Sequence, residues 1–361
     1  MIDNIKSELS KIKYPGFNRD IVSFGIIKDI KVVKDDLYIV LSIDTDNQKN
    51  KELIVQEINK KIKEKFEFNN IKINFLDPNI NEPVQNQLNI KKIIAVSSCK
   101  GGVGKSTVAL NLAIEMSKKY KVGLLDLDIY GPSLSTLVDH HEQPEFTDNR
   151  IKPVSKFGIK LMSFGFINNE KSPTIWRGPM VSRMTQQFFD NVDWGDLDLL
   201  ILDLPPGTGD IQLTLVQKIA LNGAVIITTP QKLSHIDVQK GSDMFKKVNT
   251  NILGIVENMS GLLLNGKVKS DKNIELLIDN HDVSINEDGT FSIEVDVFKG
   301  DSGQEESRRL DLPLLGKIPI DSKISECCDI GNPYVLAHNN TRIQNIYSNI
   351  ANQIAKSLNI E

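Results

Sequence analysis

Residues 93–107 decide the fold of this 361-residue chain, and they run Ile93-Ile94-Ala95-Val96-Ser97-Ser98-Cys99-Lys100-Gly101-Gly102-Val103-Gly104-Lys105-Ser106-Thr107. The apolar first part predicts a buried strand, and the apolar residues from Val108 onward predict a buried helix. Between them, glycines let several backbone N–H groups turn toward one anion, which the positive end of the helix dipole also attracts. This order is typical of a P-loop, so we expect Lys105 to reach the outer phosphates of ATP and Ser106 to hold Mg²⁺.

The loop departs from the pattern G-x-x-x-x-G-K-[ST], because Cys99 replaces the first glycine and Lys100 adds a second lysine. A glycine-rich turn with two solvated lysines is the alternative, disfavoured because motif and strand–helix context agree. The loop resembles the deviant Walker A motif of an ATPase class with septum-positioning, plasmid-partition, nitrogenase-iron-protein and Mrp-type members. That resemblance implies a homodimer in which Lys100 reaches the nucleotide of the partner subunit. The residues expected at the nucleotide are Cys99, Lys100, Gly101, Gly102, Val103, Gly104, Lys105, Ser106 and Thr107.

The composition is typical of a globular protein, with 40% hydrophobic and 25% charged residues. The net charge of −4 provides no global basic footprint for nucleic acid. No apolar run is long enough to span a bilayer and no secretory or organellar signal is evident, so we expect no membrane partner. Three cysteines do not form a disulfide framework, and the reducing cytoplasm is the expected compartment.

The sequence pattern divides the chain into three regions. Residues 1–76 are predicted to form a small α+β domain. Apolar and polar residues alternate from Ile30 to Leu41, which favours a hairpin, and residues 71–75 favour a closing strand. Isoleucines recur every four residues from Ile54 to Ile62, which favours an amphipathic helix. Residues 77–90, rich in Pro, Asn and Gln, are predicted to be a linker. Residues 91–361 alternate strands with helical stretches, which predicts an α/β domain whose mostly parallel sheet is flanked by helices.

The small domain carries a resemblance of its own. Residues 20–30 resemble the D-I-V-S-L-G-x-V-x-x-I signature of a domain found beside iron–sulfur assembly proteins. That family usually has a cysteine after its second strand, whereas Ser42-Ile43-Asp44-Thr45-Asp46 contains none. We therefore expect an assembly-type docking domain without chemistry of its own.

Acidic residues follow the predicted strands of the larger domain. Asp203 ends the apolar strand Leu199–Asp203, a Walker B pattern, and we expect it to hold Mg²⁺ opposite Ser106. Asp126 and Asp128 follow another strand, and the carboxyl ends of parallel strands share one edge of a sheet. In the related ATPases, aspartates at this place position the attacking water; Asp128, further out, is favoured, and a helix N-cap is the alternative role. The predicted catalytic set is Lys100, Lys105, Asp126, Asp128 and Asp203.

An ordered set of segments resembles the Mrp-type iron–sulfur cluster carriers: Asp128-Ile129-Tyr130-Gly131-Pro132-Ser133, Trp176-Arg177-Gly178-Pro179-Met180, Asp203 with Pro205-Pro206-Gly207-Thr208-Gly209-Asp210, and Glu257-Asn258-Met259-Ser260. Residues 228–233 and 98–100 are most similar to the plastid branch of that family. The resemblance implies that Asn258 contacts adenine, with an ordinary turn asparagine as the alternative. It also implies that the protein delivers clusters to apo iron–sulfur proteins and works with the assembly machinery.

The cluster ligands of that family are missing here. The carriers place a C-x-x-C pair shortly after the E-N-M segment, whereas residues 261–269 contain no cysteine, and Asn265-Gly266 predicts a hairpin turn. A second turn is predicted at Asp288-Gly289. The remaining candidate ligands are Cys99 and the adjacent pair Cys327-Cys328, whose neighbouring side chains tend to diverge. Cys99 sits at the mouth of the P-loop, where positive potential is expected to favour its thiolate. Ordinary packing of all three is the alternative. We therefore predict at most a labile 4Fe–4S cluster, for which Cys99 matters most.

The favoured interpretation is a Mg²⁺-dependent ATPase that carries iron–sulfur clusters. One alternative is a dimeric, ATP-driven switch of the partition or septum-positioning kind, which recruits protein partners and binds no cluster. A non-enzymatic scaffold is disfavoured because Lys100, Lys105, Ser106, Asp128 and Asp203 are all present.

Overall fold

The computed structural model describes residues 2–13, 20–22, 26–33, 36–42, 48–66, 68–76, 89–147, 150–167, 178–269, 275–278 and 281–360. Contacts between residues divide the chain into two compact units, Met1–Glu82 and Pro83–Glu361. The predicted linker falls almost entirely outside the described residues, so the boundaries at 76 and 91 stay predictions. Parts of three predicted motifs also lie outside them, namely residues 23–25, 43–46 and 176–177.

The first unit is built on a small mixed sheet. Its elements are α1 (Ile2–Leu9), β1 (Ile27–Val33), β2 (Asp36–Ser42), α2 (Gln48–Lys63) and β3 (Asn70–Leu76). β1 pairs antiparallel with β2, and β2 pairs parallel with β3. The predicted hairpin, amphipathic helix and closing strand are confirmed, although the hairpin turn at residues 34–35 lies outside the described residues.

An isoleucine-rich core holds this unit together. Ile54, Ile58 and Ile62 of α2 are buried, because residues four apart lie on one face of a helix. They pack in one cluster with Leu37 and Ile39 of β2. Burying these side chains is the main stabilising contribution that a unit of this size has available.

The second unit is larger and alternates strands with helices. Its strands are β4 (Ile90–Ser98), β5 (Val122–Asp126), β6 (Phe146–Thr147), β7 (Arg150–Ile151), β8 (Val154–Lys156), β9 (Ile159–Ser163), β10 (Leu197–Asp203), β11 (Gly223–Thr228), β12 (Ile252–Lys267), β13 (Leu276–Ile278), β14 (His281–Val283), β15 (Thr290–Val295) and β16 (Leu314–Ile320). Its helices are α3 (Lys105–Ser117), α4 (Leu134–Leu137), α5 (Phe164–Ile167), α6 (Gly178–Asn191), α7 (Asp210–Lys218), α8 (Lys232–Lys247), α9 (Ser302–Leu310), α10 (Ser322–Asp329), α11 (Tyr334–Ala337) and α12 (Arg342–Leu358).

One sheet organises this unit. In the described residues its strand order is β15-β12-β11-β4-β10-β5-β9-β8, and β16 also pairs with β12. Only the β12–β15 and β8–β9 pairs are antiparallel among these. The central strands β5 and β11 are buried along their whole length, as expected of parallel strands with helices on both faces. The predicted α/β fold with a mostly parallel sheet is confirmed.

Strand register brings the acidic residues to one edge of the sheet. Asp203 pairs with Val96 of β4 on one side and with Asp126 of β5 on the other. Asp126 in turn pairs with Ser163 at the end of β9. Since β4 runs directly into the glycine loop, both aspartates lie beside that loop, where open α/β sheets bind their ligands.

The predicted hairpin at Asn265-Gly266 is wrong. β12 continues without a turn to Lys267, and Gly266 pairs with Phe291 of β15. A Cβ at Gly266 would lie 2.3 Å from the Phe291 ring, so this glycine makes room for an aromatic side chain instead of a turn. The second predicted turn is confirmed, because Gly289 has φ +81° and Asp288 accepts a hydrogen bond from the Thr290 N–H.

Among the described residues, no helix is both long and apolar enough to cross a bilayer. The last helix, α12, instead buries Ile343, Ile350 and Ile354 in the core of the second unit.

Candidate nucleotide-binding site

The glycine loop joins β4 to α3. Gly102 and Gly104 have φ values of +79° and +80°, which side chains with a Cβ rarely adopt. The loop is tied at its start, where the Ser98 hydroxyl donates to the Lys100 carbonyl at 2.9 Å. The Gly207 N–H also donates to the Ser98 carbonyl at 2.9 Å, which connects the loop after β10 to the P-loop.

Lys105 begins α3 and is only 6% exposed. Its ammonium contacts the Asp203 carboxylate and lies 3.3 Å from the Ser106 hydroxyl. Burial raises the pKa of Asp203, and the Lys105 charge opposes that shift. A hydroxyl and a carboxylate around one buried position are the hard oxygen ligands that Mg²⁺ requires, so Ser106 and Asp203 fit the predicted metal.

The two aspartates at the carboxyl end of β5 differ in their surroundings. Asp126 accepts hydrogen bonds from the Asp128 N–H and the Ser163 hydroxyl, both at 2.9 Å. Burial, reinforced by the charge of Asp203, raises the pKa of Asp126 to about 7. Asp128 instead faces the cleft beside the P-loop, where its carboxylate accepts a 3.2 Å hydrogen bond from the Gly131 N–H. The structure thus places Asp128 at the cleft and Asp126 against the backbone of Asp128.

One cleft brings most of the predicted residues together. Seven of the ten nucleotide-contact candidates line it, together with Asp128 and Pro206, and they are Lys100, Gly101, Gly102, Gly104, Lys105, Ser106 and Thr107. The predicted residues that do not line the cleft include Cys99, Val103 and Asn258.

Ser163 is a site residue that the sequence did not single out. Its hydroxyl also accepts a 3.0 Å hydrogen bond from the Gly165 N–H, so it is fixed while it donates to Asp126. The signal that could have found it is its position at the carboxyl end of a parallel strand.

Asn258 contacts the P-loop from β12. Its side-chain Nδ2 donates to the Val103 carbonyl at 2.8 Å. The predicted contact of Asn258 with adenine stays a prediction.

Cys99 does not face the loop interior. Its thiol donates to the Val238 carbonyl of α8 at 3.9 Å, and a Cβ at Gly241 would lie only 2.0 Å from its Sγ. Burial raises the pKa of Cys99 to about 12. The prediction that the P-loop favours its thiolate is therefore wrong, because burial against α8 disfavours the charged form of the thiol.

The other two thiols lie on α10. Cys327 is buried, and the Sγ of Cys328 lies 3.6 Å from the Thr107 hydroxyl of α3. Burial raises the pKa of both thiols. In the part of the chain that the structure describes, no three His, Cys, Asp or Glu side chains form a group that could hold a metal ion.

Comparison with known proteins shows the family. The profile of the ParA family, described as NUBPL iron-transfer P-loop NTPase, matches residues 89–274 and 268–355. The chain belongs to this family. The resemblance drawn from the ordered motifs is confirmed, while the likeness to a plastid branch stays a prediction.

Individual relatives extend the match over both units. The chain is 33% identical to the iron-sulfur cluster carrier protein of Helicobacter pylori, over 99% of this chain and 92% of that protein. It is 37% identical to the iron-sulfur cluster transfer protein NUBPL of Mus musculus, over 74% of this chain and 78% of that protein. A solved nucleotide-binding protein from Archaeoglobus fulgidus, in complex with ADP, is 35% identical with a TM-score of 0.54, covering 70% of this chain and 91% of that one. The P-loop NTPase fold is thus confirmed.

Proposed function

We propose that this protein is a Mg²⁺-dependent ATPase that acts as a homodimer and carries iron–sulfur clusters to apoproteins. The observation that carries the proposal is the single cleft in which Lys100, Lys105, Ser106 and Asp128 meet. It occurs in a chain whose relatives are named as iron–sulfur cluster carrier and transfer proteins. The supporting partners would be apo iron–sulfur proteins and the assembly machinery, and the compartment would be the cytoplasm.

The cleft suits the phosphates of ATP. Backbone N–H groups of the glycine loop and the N-terminus of α3 would bind the phosphate oxygens, and Lys105 would exchange its contact with Asp203 for the outer phosphates. Ser106 and Asp203 would then hold Mg²⁺, which neutralises charge on the phosphates. Asp128 would position the attacking water, since it faces the cleft, while Asp126 would hold the backbone of Asp128.

Lys100 is the residue that supports a dimer. Its side chain is exposed at the mouth of the cleft, five residues before Lys105. Lys105 is already placed beside Asp203 to serve the outer phosphates. Lys100 lies too early in the loop to serve the same phosphate, so it would have no phosphate partner within one subunit. A nucleotide bound by a partner subunit would supply that anion.

The cluster is the cargo, and one chain offers few ligands for it. Thiolates are the usual protein ligands of iron–sulfur clusters, and the three cysteines lie on two elements facing different helices. We therefore propose a weakly held, labile cluster shared between two copies, with Cys327, Cys328 and Cys99 as the ligands to test. The Cys99 thiol lies against α8, where it contacts Val238 and Gly241, so the pair on α10 is placed ahead of it as ligands to test.

Anaerobic reconstitution with iron and sulfide tests this proposal. Iron and acid-labile sulfide are counted per dimer for the wild type, Cys99→Ser, Cys327→Ser/Cys328→Ser and the triple variant, and turnover of ATP by the wild type is measured with and without Mg²⁺. We expect Mg²⁺-dependent turnover and a partial, chelator-sensitive cluster that the double variant loses more completely than Cys99→Ser. A stable cluster in the triple variant would refute ligation by cysteine. No cluster in the wild type, together with ATP turnover, would favour the recruitment switch.

A further inference from the structure

The Asn258 side chain touches the P-loop from behind the cleft. Its Nδ2 donates to the Val103 carbonyl at 2.8 Å, and a Cβ at Gly104 would lie 2.4 Å from the same nitrogen. Asn258 is buried, and neither it nor Val103 lines the cleft that Gly104 lines. The amide therefore occupies the space that any side chain at position 104 would need.

The contact fixes the orientation of one peptide plane. In the described residues no peptide bond is cis, and in a planar trans peptide the C=O and the following N–H point in opposite directions. Since the Val103 carbonyl points to Asn258, the Gly104 N–H points away from Asn258. Gly104 itself lines the cleft. An N–H group held in this way is a preformed donor for a phosphate oxygen.

A bulge in β12 presents Asn258 to the loop. β12 pairs with β16 as far as Asn258 and Ile318, and the next pair is Leu262 with Ile320, so β12 contains two extra residues between them. Met259, directly after Asn258, has φ +58°, a left-handed conformation that is costly for methionine. Bulges of this kind redirect a side chain and are common beside active sites.

The residue before Asn258 anchors the strand on its other face. Glu257 is fully buried, and its Oε2 accepts a hydrogen bond from the Gly303 N–H at 2.8 Å. Its Oε1 lies 2.9 Å from the Lys317 ammonium. Because consecutive side chains of a strand point to opposite faces, this anchor holds Asn258 against the P-loop.

We propose that Asn258 is a positioning residue of the P-loop: it holds the Val103 carbonyl so that the Gly104 N–H is directed at the phosphate chain of the nucleotide. The inference rests on the proposed binding of ATP in this cleft. It assigns the amide group of Asn258 to the loop backbone, whereas a contact with adenine would make Asn258 a base-recognition residue.

Ligands with and without a base distinguish these two roles. Affinities for ATP, GTP and inorganic tripolyphosphate are measured by calorimetry for the wild type, Asn258→Ala and Asn258→Asp. Asn265→Asp, the same substitution at an exposed position of β12, is the matched control. We expect both Asn258 variants to bind ATP and tripolyphosphate about tenfold more weakly, by similar factors, with the ratio of ATP to GTP affinity unchanged.

Two results would overturn the inference. One is weaker binding of ATP with unchanged binding of tripolyphosphate, which is the result for a contact with adenine. The other is unchanged binding of all three ligands. Circular dichroism checks that each variant folds. Asn258→Ser replaces any variant that does not fold. Its hydroxyl is too short to reach the Val103 carbonyl, so we expect the same loss of affinity for ATP and tripolyphosphate. A wild type that binds neither ATP nor tripolyphosphate would overturn the proposed function as well.

Discussion

At the scale of single residues, the Lys105 ammonium is a buried charge at the centre of the predicted phosphate site. It is almost fully buried, and its ion pair with Asp203 compensates the cost of removing the ammonium from water. The phosphates of a nucleotide can take the place of Asp203 in this pair. Lys105→Ala should weaken ATP binding by about 100-fold, because it removes a charge-assisted contact to the phosphates. The control is Lys91→Ala at the opposite end of β4, where an exposed lysine pairs with Asp198. Binding assays with a fluorescent ATP analogue that show equal affinities for both variants would contradict this role of Lys105.

Asp128 permits a second test at the residue scale, because Asp126 is its built-in control. Asp128→Asn should bind ATP nearly as well as the wild type and hydrolyse it about 100-fold more slowly, since the amide cannot accept a proton from water. Asp126→Asn should have the smaller effect, because its remaining oxygen can still accept from the Asp128 N–H. Single-turnover hydrolysis measures both variants. Equal rates for the wild type and Asp128→Asn would remove Asp128 from the mechanism.

The residue scale also shows where sequence reasoning stops. Lys105 and Ser106 were predictable, because a strand, a loop and a helix in this order place them by local geometry. Asp203 was predictable because an apolar strand that ends in aspartate is a Walker B pattern. The orientation of Cys99 was not predictable, since it depends on Gly241 of α8, which is far away in sequence. The same holds for the hydrogen bond from Ser163 to Asp126, which requires the register between β5 and β9.

At the scale of elements, α2 carries the core of the first unit on one face. Ile58 is fully buried there, whereas Leu53 of the same helix is 43% exposed. Ile58→Ala should destabilise the unit by about 2–5 kcal/mol, because it removes buried carbons and leaves a cavity. Leu53→Ala should cost only about 0.5 kcal/mol. Urea unfolding followed by circular dichroism compares the two, and equal losses would show that the isoleucine stripe is not the core.

β12 shows why one element was mispredicted. Asn-Gly is the strongest short-range signal for a hairpin turn, and an isolated segment with this sequence would be expected to reverse. Here the strand stays extended because residues 262–267 pair with β15, and the Phe291 ring needs the space above Gly266. Tertiary packing therefore decided this conformation over local preference.

At the scale of the whole molecule, the alternation of strands and helices was enough to predict the larger fold. Parallel strands need crossover helices, so the pattern admits few arrangements. The central strands β5 and β11 carry apolar runs, and they are buried along their whole length as this arrangement requires. The proposed homodimer cannot be derived from this alternation, because a single chain contains only half of any dimer interface.

Lys100 allows the proposed dimer to be tested. It is exposed at the mouth of the cleft, so removing its charge should leave ATP binding by a monomer almost unchanged. If it reaches the nucleotide of a partner subunit, Lys100→Ala should weaken ATP-dependent dimerisation by about tenfold and slow hydrolysis in parallel. Lys119→Ala, an exposed lysine beyond the far end of α3, is the control. Sedimentation velocity with and without ATP measures the association, and a wild-type protein that stays monomeric with saturating ATP would contradict the dimer, because then Lys100 has no second nucleotide to contact.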